Sequence, residues 1–390
     1  MPDVSTGRGA PGKRGSLGEV AAVFLKMGLI GFGGPAAHVA LMRRELVERR
    51  RWVDEPRFLD LFAVSNLIPG PSSTEMAILL GYERAGWPAL IAAGALFILP
   101  AMLLVLVLAW AYVRFGSVPQ TRWVLYGVGP AVIGIVADAL WKMGRTALRG
   151  AGWVLLAAVV AALSFVGVSL FVLVFGGGAL AMVVVNRRRR MGAAGSAAAF
   201  AWPGLPVLAA APAVVSHSAV TLFLTFLKIG AVLYGSGYVL LAFLRADFVQ
   251  HLHWLTNRQL IDAVSIGQVT PGPLFTTATF VGYLTGGAGG ALLATLAIFL
   301  PSFVFVAVAY PMLPAIKASP WAAGFLRGAT ASSLGLMVAV TFQLGRAAIV
   351  DPFTAVVALA VFLVLRRFEV SSVWLVLGSG LAGVLVKLLG

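Results

Sequence analysis

A Pro-Gly-Pro run appears twice in this chain, each time inside apolar sequence, and no α-helix can pass through it. Asn66-Leu67-Ile68-Pro69-Gly70-Pro71-Ser72-Ser73 is the first, and Gln268-Val269-Thr270-Pro271-Gly272-Pro273-Leu274-Phe275 the second. Proline removes amide donors and clashes with the preceding turn, and glycine frees the backbone. The surroundings are those of a membrane protein. Of 390 residues 60% are hydrophobic and 11% charged, against about 45–50% and about 25% in soluble domains. Runs such as Ala89 to Val113 and Val154 to Val185 reach the roughly 20 residues that cross a bilayer as helix. The fold class is an all-α polytopic membrane protein. In lipid, broken backbone survives only where protein encloses it or it lines a polar cavity. The two breaks are therefore the expected binding site.

Residues 1–16 are rich in Gly, Pro and Ser and read as a disordered tail, with no cleavable signal peptide. The net charge of +15 does not point to nucleic acid. Its Lys and Arg cluster at the ends of apolar segments, most densely at Arg187 to Arg190, as expected of charges that set topology. With no cysteine, disulfides, thiolate metal sites and thiol redox chemistry are excluded. His251 and His253 read as a wet loop rather than a metal site. No cofactor is expected.

The chain repeats itself. Phe24-Leu25-Lys26-Met27-Gly28 matches Phe226-Leu227-Lys228-Ile229-Gly230 at an offset of 202, as Trp52 matches Trp254 and Asp60 matches Asp262. After the Pro-Gly-Pro runs the offset becomes 201: Gly81-Tyr82 matches Gly282-Tyr283, and Leu99-Pro100 matches Leu300-Pro301. The transporter repeats run 17–190 and 217–390, joined by a Pro- and Ala-rich linker at 191–216. Each reads as a long helix with a glycine-rich interruption (17–42; 219–244), two half-helices around Pro-Gly-Pro (58–85; 260–284), two long helices (88–114 and 121–147; 289–313 and 321–346), and a shorter closing pair (151–166 and 169–186; 351–365 and 371–389).

Residues 43–57 hold six Lys or Arg and the equivalent 245–259 hold two; Arg366 and Arg367 occupy a turn whose counterpart has none. This alternation predicts two halves of inverted topology, with re-entrant Pro-Gly-Pro segments. Counting the interrupted first helix as a span places the N-terminus outside, despite Arg8, Lys13 and Arg14. A re-entrant first segment, with an extra crossing near 200–216, is the alternative. Inverted repeats with broken helices recur in secondary transporters.

An opened helix start offers unpaired N–H donors and about half a positive charge. Pro69, Gly70 and Pro71 lead into Ser72, Ser73 and Thr74, whose hydroxyls can cap amides; Pro271, Gly272 and Pro273 lead to Thr276. Gly33 and Gly34, in Gly31-Phe32-Gly33-Gly34-Pro35, open the first helix, as Gly235 does in the second half. Four such starts sum to roughly +2, which suits a small dianion. Lys26 and Lys228, at equivalent intramembrane positions, would add charge; each costs roughly 2.5–3.5 kcal/mol to insert, or snorkels to the headgroups. Asn66 and Gln268 would orient the opened backbone. Glu75, His38 and Asp138 are candidates for proton or charge coupling, Glu75 being matched by Thr277 and Asp138 by Ala339. Asp60 and Asp262 are expected to cap the re-entrant helices. The polar Ser72 to Glu75 stretch favours the first half as the tighter anion holder.

Phe24-Leu25-Lys26, Gly31 to His38, the Glu45 to Trp52 stretch with its arginines, and the duplicated Pro-Gly-Pro resemble the chromate ion transporter (CHR) family in its two-domain form, over essentially the whole chain after the tail. The resemblance implies an inner-membrane exporter of chromate, a tetrahedral dianion, dependent on the membrane gradient and of antiporter type. Tyr234-Gly235-Ser236-Gly237 in place of Phe32-Gly33-Gly34-Pro35 makes any site only pseudo-symmetric. The expected partners are chromate or sulfate and the lipid bilayer; small-residue surfaces such as Gly176 to Gly178 serve a homodimer or internal packing equally well. Alternatives are a sulfate or other oxyanion transporter and a passive anion channel. A membrane enzyme is disfavoured, for want of cysteine and of a haem or flavin signature.

Overall fold

The computed structural model describes residues 15–116, 118–190, 218–234, 237–312, 319–368 and 370–389, and among them the chain is helical with no strand. The first repeat comprises α1 (Leu17–Ile30), α2 (Gly34–Arg43, continuing as a π-helical turn Arg44–Arg49), α3 (Glu55–Ser65), α4 (Ser72–Ala85), α5 (Trp87–Phe115), α6 (Pro119–Ala147), α7 (Ala151–Phe165) and α8 (Leu170–Arg190). The second comprises α9 (Ala219–Val232), α10 (Leu240–Leu244), α11 (Asn257–Val269), α12 (Thr277–Ala309), α13 (Pro320–Ala348), α14 (Pro352–Arg367) and α15 (Ser372–Leu389). α12 corresponds to α4 and α5 together: it is kinked at Gly286 and Gly287, where Gly86 separates the other two. Six of these helices are long and apolar enough to span a membrane. The tail through residue 14 and the linker at 191–216 lie outside the described residues.

The repeat extends to backbone detail. Arg51 and His253, 202 apart, are the two non-glycine residues with positive φ among those described. Arg43 donates to Glu55 at 2.7 Å as Arg245 donates to Asn257 at 3.0 Å. Asp60 and Asp262 are not caps. Their helices begin earlier, capped by Asp54 and Thr256, and Asp262 instead accepts from the Tyr112 hydroxyl at 2.9 Å.

Both broken segments of a repeat turn back on themselves. Arg57, at the start of α3, pairs with Glu83 near the end of α4 at 2.8 Å. Pro-Gly-Pro is thus the tip of a re-entrant hairpin. Glu19 on α1 likewise lies 3.7 Å from Arg50; in a straight helix they would be about 46 Å apart at 1.5 Å per residue. The expectation of a first helix that spans with a glycine gap is therefore corrected. The glycines allow a reversal, and α1 with α2 is a second hairpin.

The hairpins of the two repeats enter from opposite sides. α5 starts beside the base of the first repeat's hairpins, and at its far end Tyr112 meets Asp262 and Phe280 of the second repeat's hairpin. Reciprocally, Tyr310, just beyond α12, meets Arg57, Tyr82 and Glu83. This is inverted topology. It also removes the conflict over the N-terminus: residue 15, whose amide bonds to the Arg84 carbonyl, lies on the side of the 43–57 arginines. Arg190 closes α8 on that side, and Ser218 opens α9 on the other.

The closing helices cross between repeats. A Cβ on Gly335 of α13 would lie 2.3 Å from the Ala157 carbonyl of α7, and one on the equivalent Gly134 of α6 2.5 Å from the Ala358 carbonyl of α14. Small residues permit this close approach in lipid, and each repeat is clasped by the other's end.

Candidate functional site at the hairpin tips

At the centre the tips exchange hydrogen bonds. The Gly70 N–H donates to the Leu233 carbonyl at 2.8 Å, and the Gly272 N–H to the Gly31 carbonyl at 2.7 Å. Both partners shift by 202, so this is one bond written twice, the reciprocity that a two-fold axis demands. Glycine is required at both donors. Gly70 has φ +136° and Gly272 φ +92°, and a Cβ on Gly70 would sit 2.2 Å from Glu75 Oε1.

Each tip brings a helix C-terminus as well as an N-terminus, so the half-charges summed from the sequence are partly cancelled. The cross-repeat bonds occupy one such carbonyl at the end of α1 and one at the end of α9; Gly31 also accepts from His38 Nε2 at 2.9 Å. The N-terminal amides remain. Thr74 N to Pro71 O and Thr276 N to Pro273 O are the first turns' bonds, so the amides of Ser72, Ser73, Leu274 and Phe275 precede them.

A cavity of about 10 Å³, bounded by Gly33, Gly34 and Pro35 from one side and Gly267, Gln268, Thr270, Gly272 and Leu274 from the other, with Tyr238 closing it, is the size of one water. Gln268 is buried, its Oε1 accepts from the Tyr238 hydroxyl at 3.4 Å, and its Nε2 has no partner. An unpaired side-chain donor beside two helix starts suits an anion.

The chromate transporter profile matches residues 18–183 and again 220–384. The chain belongs to the chromate transporter family. It is 33% identical over 372 residues to a chromate transport protein of Cupriavidus metallidurans (94% of this chain, 92% of that one). It is 34% identical over 387 residues to one of Pseudomonas aeruginosa (95% and 92%), and 33% identical over 348 residues to a probable chromate transport protein of Synechococcus elongatus (88% of each). No solved structure matches the chain. This family member is a multi-pass plasma-membrane protein.

Within this chromate transporter fold the sequence-derived residues divide. Gly33, Gly34, Gln268 and Gly272 line the cavity, and Pro271, Pro273 and Thr276 shape its tip, the Thr276 hydroxyl donating to the Pro273 carbonyl at 2.8 Å. Pro69, Gly70, Pro71, Ser72, Ser73 and Thr74 form the other tip and do not line this cavity. Asn66 caps α3 through the Phe62 carbonyl at 2.8 Å. Gly235 lies outside the described residues. Lys26 and Lys228 do not line the cavity: they are 53% and 45% exposed and pair with Glu45 at 4.0 Å and Asp247 at 2.6 Å. Asp138 pairs with Lys142 at 2.7 Å. Tyr238 and Ser302 went unrecognised in the sequence. So did Glu45 and Asp247, although each follows its lysine by nineteen residues in both repeats.

Glu45, outside the membrane-spanning segments, collects Arg50 and Arg49, each at 2.9 Å, besides Lys26. The Arg50 hydrogen bond, with the neighbouring charges, holds its carboxyl below the usual range. A depressed carboxylate stabilises the fold above its unfolded pKa, about 4.3, and that stability fades as pH falls through the folded value. Glu45→Gln should therefore lower the melting temperature of purified protein at pH 7, with the difference closing below about pH 4. A difference independent of pH would contradict this.

Proposed function

We propose that this protein is a secondary transporter that exports chromate by alternating access around the tip cavity. The observation that carries the reading is a donor-lined cavity at the meeting point of hairpins inserted from opposite sides, in a chain whose relatives are named chromate transport proteins. A cavity of one water cannot hold a tetrahedral dianion until the tips part. Breaking the Gly70–Leu233 or the Gly272–Gly31 bond in turn would open it to one side or the other. The membrane potential alone favours export: each net negative charge carried outward gains about 2.3 kcal/mol per 100 mV.

The test is uptake of labelled chromate into inside-out vesicles under imposed electrical and pH gradients. Uptake driven by an inside-positive potential, and competed by sulfate, is the expected result. Flux no greater than in protein-free vesicles would refute transport, and uptake only in right-side-out vesicles would refute export. Sulfate as the physiological substrate is the second reading, favoured by neutral donors that recognise shape and charge rather than the central atom.

A further inference from the structure

We propose that Glu75 takes up a proton when the anion loads, so that one proton and one dianion cross together. The inference rests on the oxyanion reading above. Glu75 is fully buried in the first turn of α4, at the tip of its hairpin. It has no cationic partner among the described residues: Oε1 accepts from the Ser302 hydroxyl of α12 at 3.4 Å, and Oε2 has no hydrogen bond. A buried carboxylate without a counter-charge is tolerated only at high cost. Gly70, against which it lies, donates to Leu233 rather than to it.

The neighbours leave the charge of Glu75 uncompensated. Ser302 faces it from α12 and Tyr234, within electrostatic reach, from the opened segment after α9; both are neutral near pH 7. Thr74 is its neighbour on α4, and His38 on the adjoining α2 is committed to Gly31. Tyr238, four residues after Tyr234 in the sequence, bonds Gln268 in the anion cavity. Tyr234 within reach of Glu75 and Tyr238 beside the cavity are what place the carboxylate near the proposed anion site. Asp138, a second buried carboxylate, lies within electrostatic reach of Tyr238, and Lys142 neutralises it.

A dianion and an ionised carboxylate repel through buried protein, where screening is weak. Loading therefore takes a proton from the same side: the carboxylate becomes the acid, its O–H free to reach an acceptor, and the site gains one proton with the anion. On release both leave. The equivalent positions, Thr277 and Ala101, cannot titrate, so the linkage resides in one repeat. Its sign is that of cotransport, opposite to the antiport expected from the sequence.

Selenate, a tetrahedral dianion that stays ionised across neutral pH, should be titrated calorimetrically into the purified full chain in nanodiscs, in buffers of differing ionisation enthalpy. At pH above the Glu75 titration wild type should take up about one proton per anion, its affinity weakening up to tenfold per pH unit, and below it no uptake is expected. Glu75→Gln should bind with no proton uptake and a flat pH profile, and Asp138→Asn should keep the uptake. No uptake by wild type at any pH, or undiminished uptake by Glu75→Gln, would overturn the assignment, and the wild-type result stands whether or not the variant folds. Failure of wild type to bind selenate or chromate at any pH would sink the oxyanion reading itself, and this inference with it.

Discussion

Gly70→Ala should cut chromate transport at least tenfold and lower the melting temperature. Two costs combine. The φ of +136° is territory that a residue with a Cβ enters only at about 1–3 kcal/mol. The new methyl would also meet Glu75 Oε1 at 2.2 Å and Ser302 Oγ at 2.6 Å. Shifting the tip to relieve that contact breaks the bond to Leu233. Gly272→Ala meets mainly Ala101 Cβ, at 2.8 Å, with φ +92°. Adding Ala101→Gly should restore part of its activity, whereas Ser302→Gly should not rescue Gly70→Ala, because Glu75 remains in the way. Vesicle flux and thermal melting read both outcomes, and wild-type flux in Gly70→Ala would show that the tips need not meet as described.

The second large effect is at Gln268. Leucine keeps its bulk and removes a buried donor with no protein partner. A hydrogen bond to a charged group contributes about 1.5–3 kcal/mol, so Gln268→Leu should weaken chromate binding roughly 10- to 100-fold with little change in melting temperature. Lys26→Ala and Lys228→Ala, whose half-exposed ammonium groups lie outside the cavity, should weaken it less than about fivefold, since such pairs contribute about 0–1 kcal/mol. Equilibrium titration of the three variants separates a site of neutral donors from a site of lysines. A larger loss in the lysine variants would favour the latter.

Much of this architecture is legible in the sequence because the duplication is nearly gapless: offsets of 202 and 201 align every helix, and the arginine asymmetry gives inversion. Hairpin and span are not distinguished that way, since residues 17–42 are apolar and long enough to be either. Charge pairing between distant positions decides it. Glu19 with Arg50 and Lys26 with Glu45 fold α1 onto α2. The tip-to-tip bonds escape a linear reading entirely, because they are made by backbone groups about two hundred residues apart. The lysines read as site residues because they recur at equivalent positions inside apolar segments, and their partners, Glu45 and Asp247, recur with them. The preference for the first Pro-Gly-Pro as anion holder rested on hydroxyl content, whereas the cavity forms where unpaired donors and open glycines coincide, at the second.

The central claim is the place where the anion binds, and anomalous diffraction at the chromium edge from crystals grown with chromate tests it directly. The account predicts a peak between the Gly33–Gly34 and Gly272–Leu274 tips, within hydrogen-bond reach of Gln268 Nε2. A peak beside Lys26 or Lys228, with the tip cavity empty, would contradict it.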